Sequence, residues 1–458
     1  MVSRRWKTSI LLLGMMSVLT GCFGEKQVLE PLDEGKGKLK VTYYSEKSFY
    51  RDYGNYFNIK FPDIEVEVIS TAETDMEELL DKQKPDVVLL SEHMFETYAQ
   101  QGKLYALDDI IAQEKFDLEG YMPGLIDMIR TKGRGKLYGL TPYFYNEVIY
   151  YNRDLFQAYN IELPRNQMSW QEILALSKRF DGMRTGDNEI YGLYQSPSSL
   201  LINIANTLSL QVFDAKGEKL RIRSDGWEQA MQMATDAVRN YPPGQVEGMN
   251  NLFLMGKAAM IMDGPWFAKE LQRAPLHNKT LSTMNWDMVT VPVDLKRPDE
   301  SSKVRLTKMY AIMADSTNKR AAWEFVQFVN GLSMEKVASR NPISTLPTRH
   351  QFFKQLEGRS TEPFYMLKPR LSTESSPPEG SWGFWVGYGN KHVPEDFYSP
   401  FNELLDKSLQ AVMQHEITPE EAVNELDAKG QLLLNKTHAE EIKKKEAESA
   451  KENVDAKK

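Results

Sequence analysis

Two hydrophobic patterns alternate along the chain. Residues 39–44 are rich in β-branched and aromatic side chains, residues 64–69 alternate strictly between apolar and charged, and residues 87–90 form a continuous apolar run. These patterns predict two strands and then a strand that is buried on both faces. Between them, apolar spacing predicts a helix over 48–61, and a Thr-x-x-Glu capping box opens a helix over 74–83. Strand, helix and strand in this order predict a parallel sheet covered by helices.

The same alternation continues through most of the chain. Further strands are predicted at residues 138–140, 148–151, 190–194, 258–262 and 288–291. A Ser169/Glu172 capping box predicts a helix that buries Trp170. A helical face formed by Ala322, Phe325, Val326 and Val329 should end with Gly331 as its C-cap, and we interpret Trp323 as structural. No segment repeats every 20–50 residues, which excludes a solenoid, and 458 residues are too many for one core. We therefore expect two domains.

The N-terminus has the layout of an export signal. Arg4, Arg5 and Lys7 precede an apolar stretch over 10–18, which is too short to span a bilayer, and Leu-Thr-Gly then leads directly into Cys22. This ending resembles the lipobox of bacterial lipoproteins, in which the cysteine thiol is acylated and the cysteine becomes the new N-terminus. An ordinary secretory signal that happens to contain a cysteine is the alternative.

Cys22 is the only cysteine in the chain, so an internal disulfide is excluded. The polar residues 23–38 suggest a flexible tether, and no later stretch has membrane-spanning length. We therefore expect a lipid-anchored protein on the outer face of the cytoplasmic membrane, most simply of a Gram-positive bacterium. At the other end, residues 439–458 carry six basic and six acidic side chains and predict a solvated helical extension or disorder.

The net charge of the chain and the motifs that it lacks exclude several classes of function. Loss of residues 1–21 removes three basic residues and no acidic ones, which moves the net charge from −8 to −11 and argues against nucleic acid or an anionic lipid surface as a partner. The chain lacks His-Glu-x-x-His, Gly-x-Ser-x-Gly and P-loop motifs, and its six scattered histidines have no zinc spacing. Residues 181–189 superficially suggest a calcium loop but lack its alternating acidic ligands, which favours a polar turn. We expect neither a metal nor a cofactor.

Polar side chains follow two of the predicted strands. Ser45 and Glu46 come after the first strand, and Ser91 and Glu92 come after the strand at 87–90. In parallel α/β sheets ligands bind beyond the carboxyl ends of the strands, so these four residues are candidate ligand contacts. Helix capping is the alternative for each of them.

An aromatic and polar segment lies close to the middle strands. Tyr143, Tyr145 and Asn146 combine flat rings with an amide, which suits the C–H faces and hydroxyl groups of a saccharide. We predict that these three face a binding cleft. The alternative is that Phe144 and one of the tyrosines pack inside the domain.

Several segments together resemble the extracellular solute-binding proteins of ABC importers, the family typified by sugar receptors. The matching segments are residues 84–88, 102–110, 135–143, 148–156, 168–172, 253–260, 263–266, 322–328 and 343–347. The chain departs from the family pattern at 209–213, where a glycine pair is common, and at 382–390, which is longer and more aromatic.

The resemblance implies an α/β, two-lobed periplasmic-binding-protein-like fold of type II, with discontinuous lobes joined by hinge crossovers. Lobe 1 would comprise residues 39–147 and 305–340, and lobe 2 would comprise residues 148–304 and 341–438. The chain would cross between the lobes near 146–150, 304–310 and 340–345. The lobes would close on a ligand by hinge motion.

The resemblance also strengthens one candidate contact. Asp263 and Trp266 frame an Asp-Gly-Pro-Trp turn after a predicted strand, and in the sugar receptors a tryptophan at this motif stacks on a sugar ring. A buried core tryptophan is the alternative. Trp382 and Trp385 lie on a glycine-spaced aromatic loop that either lines the cleft or packs beneath the loop, and Tyr398 could form another wall.

We therefore expect a monomeric receptor that captures a mono- or oligosaccharide without turning it over and delivers it to an ABC permease. Two other readings stay open. A secreted carbohydrate-active enzyme needs a positioned pair of carboxylates, which a chain this rich in Asp and Glu could supply. A binding protein could also serve a sensor kinase or hold a non-sugar solute such as a peptide.

Overall fold

The protein is described by a computed structural model. It describes residues 28–71, 76–238, 251–277, 284–339, 345–371, 390 and 392–455. Cys22, Trp382 and Trp385 lie outside these residues, as does the predicted cap at Thr74.

The strands are β1 (Gly37–Tyr43), β2 (Ile64–Ser70), β3 (Val87–Leu90), β4 (Gly139–Leu140), β5 (Tyr143–Tyr145), β6 (Val148–Asn152), β7 (Arg184–Thr185), β8 (Asn188–Glu189), β9 (Tyr191–Leu193), β10 (Ala258–Asp263), β11 (Trp286–Thr290), β12 (Glu300–Ser301), β13 (Arg305–Leu306), β14 (Met309–Ile312), β15 (Leu346–Pro347), β16 (Gln355–Leu356), β17 (Arg359–Ser360) and β18 (Lys368–Pro369).

The α-helices are α1 (Glu46–Phe49), α2 (Asn55–Lys60), α3 (Met76–Gln83), α4 (Glu92–Gln100), α5 (Asp108–Glu114), α6 (Leu125–Lys132), α7 (Arg153–Ala158), α8 (Trp170–Lys178), α9 (Pro197–Thr207), α10 (Asp225–Ala237), α11 (Phe267–His277), α12 (Lys319–Val329), α13 (Leu332–Ala338), α14 (Glu362–Tyr365), α15 (Tyr398–Met413) and α16 (Pro419–Asp455). Short 3₁₀ turns occupy Asp33–Gly35, His350–Phe352 and Glu395–Phe397. None of the described helices is long and apolar enough to cross a bilayer.

The first sheet has the strand order β2-β1-β3-β14-β4. β1 pairs in parallel with β2 and β3, as the sequence pattern predicts, but β14 is antiparallel to both β3 and β4. The sheet is therefore mixed, and the predicted parallel pairing holds for β1, β2 and β3 only. The reason is that β14 enters the sheet from the hinge, at the end where β3 leaves it.

The second sheet has the strand order β11-β6-β10-β9 and is also mixed, since β6 is antiparallel to its neighbours β10 and β11. The buried apolar side chains form two hydrophobic cores: the first contains residues of β1, β3 and β14, and the second contains residues of α8, α9 and α10. Alternate residues of β6 enter different cores, since Tyr150 belongs to the first core and Ile149 to the second. Every residue of β6 is buried. This explains why the strand reads as a continuous apolar run instead of an alternating one.

Three short strands, in the order β13-β5-β15, form a separate antiparallel sheet that we call the hinge sheet. Each belongs to a stretch of chain that passes between the two larger sheets. The structure thus consists of two α/β lobes joined by this small sheet, whereas the residue boundaries of the lobes stay a prediction. Small hinges of this kind can absorb the backbone rotation of lobe closure.

Several local predictions can be compared directly with the structure. The capping box of Ser169 and Glu172 is present, and both Trp170 and Trp323 are buried in the core. The helix predicted over 48–61 is interrupted by a π-helical turn at Tyr50–Gly54, and the C-cap of α12 is Asn330 instead of Gly331.

Two polar stretches also have a defined structure. The polar segment 181–189 contains a β7–β8 hairpin, and among the described residues no group of three or more His, Cys, Asp or Glu side chains is arranged to hold a metal ion. The charged C-terminal segment continues α16 as far as Asp455.

Candidate ligand-binding site

One edge of the first sheet gathers polar and aromatic side chains from distant parts of the chain. β1 and β3 end at this edge, and the pairing of Met309 with Leu90 places the start of β14 beside the end of β3. β4 ends there too, because Leu140 pairs with Tyr310. The side chains that follow or precede these strand ends are Tyr44, Ser45, Glu46, Ser91, Glu92, Tyr143 and Lys308.

The second sheet presents a matching edge to the hinge. Val148, the first residue of β6, pairs with Asp263 at the end of β10 and with Thr290 at the end of β11. The turn from Gly264 to Trp266 therefore begins where β6 leaves the hinge sheet. Ligands in α/β proteins bind beyond such strand ends, so the space between the two edges is the candidate site.

The hinge strand β5 lies between these edges. Its alternation places Tyr143 and Tyr145 on one face and Phe144 on the other, where Phe144 packs edge-on against Tyr365 at 5.2 Å. The Tyr145 ring lies so close to Gly264 that a Cβ atom there would come within 2.7 Å of it. Glycine at this position thus lets a hinge residue touch the second edge directly.

Trp266 is presented at the end of β10. Its side chain is 41% exposed, whereas the neighbouring Phe267 is 1% exposed and belongs to the first core. The two rings meet edge to face at 5.7 Å. The indole is therefore supported from one side and open on another, which is the arrangement that a stacking platform requires. The alternative of a buried core tryptophan does not hold.

A polar cluster surrounds this platform. The carboxylate of Asp263 accepts a hydrogen bond from the Gly264 backbone N–H at 2.7 Å. Burial raises the pKa of Asp263 to about 7, the hydrogen bond from Gly264 opposes this rise, and the charge of Glu147 adds to it. Asp263 is thus poised between its neutral and ionised forms near neutral pH.

Glu147 and Lys303 connect two of the hinge passages. Lys303 Nζ lies 3.2 Å from Glu147 Oε2 and also donates a hydrogen bond to Asn203. Tyr145 Oη donates to Glu147 Oε1 at 3.3 Å. Burial lowers the pKa of Lys303, and the charge of Glu147 opposes this effect. The pair fixes the polar wall beside Tyr145.

Two predicted contacts act as helix caps. Ser45 accepts a hydrogen bond from the Ser48 N–H at 3.2 Å and forms a capping box for α1, and Ser91 accepts one from the Met94 N–H at 3.3 Å and caps α4. The structure therefore shows the capping role that was the alternative for both residues. Glu46 is exposed in the first turn of α1, on the rim of the first-sheet edge.

Two other predicted contacts are occupied within the protein. Glu92 Oε2 accepts a hydrogen bond from the Leu306 N–H at 2.9 Å, which ties α4 to the hinge sheet. Asn146 is 1% exposed, and its amide donates to the Phe364 carbonyl at 2.8 Å and accepts from the Glu147 N–H at 2.9 Å. The expectation that Asn146 faces the cleft is therefore wrong in this structure, because its polar atoms hold the hinge together.

Tyr398 packs against the second core. Its ring meets Phe397 at 5.7 Å and Phe213 at 6.3 Å, and its hydroxyl accepts a hydrogen bond from the Asn390 N–H at 3.2 Å. A role in ligand binding stays a prediction for Tyr398. Trp382 and Trp385 cannot be placed, because they lie outside the described residues.

Of the residues predicted from the sequence, Tyr143, Tyr145, Asp263 and Trp266 lie together at the candidate site. The prediction did not include Glu147, Lys303 and Lys308. Glu147 was contained in the aromatic segment that drew attention to Tyr143 and Tyr145, so its position next to them was the available signal. Nothing local distinguished the two lysines from the chain's many others.

One sequence relative and two structural neighbours of this chain are named as transport or binding proteins for sugars. A "Maltooligosaccharide ABC transporter solute-binding lipoprotein" of Streptococcus pneumoniae is 24% identical over 385 residues, which cover 79% of this chain and 85% of that protein. A sugar transporter structure from Rhizobium etli, in an open conformation, has a TM-score of 0.64 at 18% identity and covers 86% of this chain and 98% of its own. The sugar-binding protein MalE from Xanthomonas citri has a TM-score of 0.61 at 17% identity, with coverage of 87% and 98%.

The structural neighbours show that the fold is the two-lobed one that the sequence predicted. The family model described as "Bacterial extracellular solute-binding protein" matches residues 43–331, which is more than half of the chain and includes most of the candidate site. The chain belongs to the bacterial extracellular solute-binding proteins.

Proposed function

We propose that this protein is a lipid-anchored receptor that captures a saccharide between its two lobes and hands it, chemically unchanged, to an ABC permease. The observation that carries the proposal is the half-open indole of Trp266 at a strand end that faces the hinge. An exposed aromatic face is costly in water unless it meets an apolar surface, and the C–H face of a sugar ring is such a surface.

The polar groups beside the indole suit the hydroxyl groups of the same ligand. Asp263 and the Tyr145–Glu147 pair lie at the turn that carries Trp266. Carboxylates accept hydrogen bonds from sugar hydroxyls, a phenol can donate or accept, and a few such groups fix the orientation of a bound ligand. The maltooligosaccharide lipoprotein and a "Mannitol-binding protein" of Pseudomonas aeruginosa, both 24% identical to this chain over the matched residues, support a carbohydrate as the ligand class.

The hinge sheet supports capture by closure. Three short strands carry the chain between the lobes, and Tyr145 and Glu147 lie on or beside one of them. Rotation about these strands would bring the edge with Tyr143 toward the edge with Trp266. We place lobe 1 at residues 39–147 and 305–340 and lobe 2 at residues 148–304 and 341–438.

The anchor belongs to the same proposal. Lipid on Cys22 and a polar tether over 23–38 would hold a monomeric receptor close to its permease on the outer face of the membrane. Tethering raises the effective concentration of a binding partner without any new contact.

Isothermal titration calorimetry of the intact protein against a panel of mono- and oligosaccharides tests the proposal. We expect one sugar to bind saturably and to be recovered unchanged. Trp266→Ala should weaken its binding by about tenfold or more, since loss of one stacked aromatic ring is worth at least about 1.4 kcal/mol. Tyr56→Ala is the matched control: its ring is 46% exposed, but it lies on α2, which leads to the opposite edge of the first sheet.

Three results would contradict parts of this proposal. Hydrolysis of the bound sugar would identify an enzyme instead of a receptor. Equal affinities of Trp266→Ala and the unaltered protein would show that the ligand binds elsewhere. Failure of every saccharide to bind would remove carbohydrate as the ligand class.

A further inference from the structure

Lys308 occupies an unusual position in the backbone. It lies between β13 and β14, at the hinge end of the first sheet, with φ at 40°. This left-handed conformation is unfavourable for a residue that carries a Cβ atom. Strained residues of this kind persist where the surrounding structure fixes them, and they cluster at ligand-binding sites and switches.

The side chain of Lys308 is directed between two aromatic rings of the candidate site. Its ammonium lies 5.6 Å from the centre of the Tyr44 ring and 5.8 Å from that of Tyr143. Tyr44 follows β1 and is 50% exposed, and Tyr143 belongs to the hinge strand β5. The ammonium is thus held at the meeting point of the first-sheet edge and the hinge.

Lys308 has no anionic partner of its own among the residues that the structure describes: none of their carboxylates reaches its ammonium within 4.0 Å. Asp52 is the acidic group that acts on it most strongly, but the carboxylate of Asp52 already accepts hydrogen bonds from Tyr43 Oη at 2.8 Å and from Arg51 Nε at 2.7 Å. Burial lowers the pKa of Lys308, and the charge of Asp52 opposes this effect. In contrast, Lys303 across the hinge is paired with Glu147 at 3.2 Å.

We infer that Lys308 binds an acidic group of the ligand, either the carboxylate of a uronic acid or the phosphate of a sugar phosphate, and so makes the receptor selective for acidic saccharides. The inference rests on the proposed function, because it assigns a ligand class to the same cleft. Tyr44 and Tyr143 would flank the acidic group, and Trp266 on the opposite edge would stack on the sugar ring.

The preference for an anion over a neutral sugar has a physical reason. A partly buried ammonium group loses part of its hydration free energy, and without a carboxylate partner this loss is not fully offset. The faces of two tyrosines recover only part of this loss. Charge-assisted hydrogen bonds are about twice as strong as neutral ones, so a carboxylate or phosphate regains more of the loss than a hydroxyl group does.

The test is calorimetry of the intact protein with three matched probe sets: neutral mono- and oligosaccharides, the corresponding uronic-acid saccharides, and the corresponding sugar phosphates. We expect one acidic set to bind at least about tenfold more tightly than its neutral counterpart. The difference between the two acidic sets identifies the carboxylate or the phosphate as the group that is bound.

Two variants assign the selectivity to Lys308. Lys308→Gly should lose about tenfold or more in affinity for the acidic saccharide while the protein stays folded, because glycine adopts the left-handed backbone without strain. Lys308→Arg should keep most of the affinity. Lys60→Met is the matched control, since the Lys60 ammonium also lies over two rings, at 5.1 Å from Phe61 and 5.6 Å from Phe328, but at the opposite edge of the sheet.

Two outcomes would overturn the inference, and they are distinguishable. If a neutral saccharide binds as tightly as its acidic counterpart and Lys308→Gly leaves its affinity unchanged, Lys308 does not select the ligand, while the proposed function stands. If no saccharide of any set binds, the proposed function fails and this inference fails with it.

Discussion

Arg349→Met should destabilise the protein strongly, because it leaves a buried carboxylate without its partner. Arg349 follows the hinge strand β15, and both Arg349 and Glu335 are 0% exposed. Their side chains meet at 2.9 Å, between Arg349 Nη1 and Glu335 Oε2. Arg349 also donates to the carbonyls of Asn330 at 2.9 Å and Asp117 at 2.7 Å, so it joins the hinge to two segments that are distant in the sequence.

The expected loss of stability can be worked out from the two states that Glu335 can adopt in the variant, protonated or ionised without a partner. Without Arg349, Glu335 can take up a proton, which costs about 1.4 kcal/mol for each pH unit above the ordinary glutamate pKa of about 4.3, or about 3.7 kcal/mol at pH 7. Removal of one partner of a buried ion pair typically costs about 3–5 kcal/mol, which includes the carbonyls that lose their donors. We therefore expect a loss of about 4 kcal/mol in the free energy of unfolding at pH 7.

The pH dependence has a definite sign. Burial already raises the pKa of Glu335 in the intact pair, against the opposing charge of Arg349, and loss of that charge should raise it further. A group whose pKa is higher in the folded state contributes stability that is lost as the pH rises. The destabilisation by Arg349→Met should therefore shrink as the pH falls from 7 toward 5, by at most about 1.4 kcal/mol for each pH unit, because the raised pKa of Glu335 in the unaltered protein already contributes part of the same pH dependence.

Urea unfolding of the intact protein, followed by circular dichroism at pH 5, 6 and 7, measures these quantities. Arg349→Met combined with Glu335→Gln should recover much of the loss, since no charge then stays buried alone. Lys429→Met removes the exposed pair with Glu425 and should cost no more than about 0.5 kcal/mol. A cost below about 1 kcal/mol for Arg349→Met, or a cost that does not change with pH, would refute the reasoning.

Two further predictions concern the candidate site. Because burial raises the pKa of Asp263 to about 7, its contribution to the free energy of unfolding should fall as the pH rises from about 4, the ordinary aspartate pKa, to about 7. Asp263→Asn should therefore be the more stable protein at pH 8, and equal pH profiles of the two in urea unfolding would contradict this. Gly264→Val should displace the Tyr145 ring, since a Cβ atom there would lie within 2.7 Å of it, and should weaken ligand binding in calorimetry by more than about tenfold. Unchanged affinity would show that the contact between the hinge and the second edge does not shape the site.

Much of the local structure follows from neighbours in the sequence. The apolar run at 87–90 forms a fully buried strand, the Ser169 capping box starts α8, and the Gly-Pro turn presents Trp266 to solvent. These features depend on side-chain alternation, on hydrogen bonds within one turn and on the fixed φ of proline. The order of the matched segments was enough to predict the two-lobed fold.

The arrangement of the site was decided only by tertiary structure. Asn146 has an amide side chain of the kind that binds sugar hydroxyl groups, but in the structure this amide donates a hydrogen bond to the Phe364 carbonyl, 218 residues away in the sequence. The antiparallel entry of β14 carries Lys308 to the rings of Tyr44 and Tyr143. The sequence by itself determined the longer buried strands, the capped helices and the exposure of Trp266, because these depend on interactions over a few residues. Some polar groups form hydrogen bonds within the hinge, and others stay accessible to a ligand. Tertiary structure decides between the two, because the hydrogen-bond partners come from distant parts of the sequence and meet only on folding.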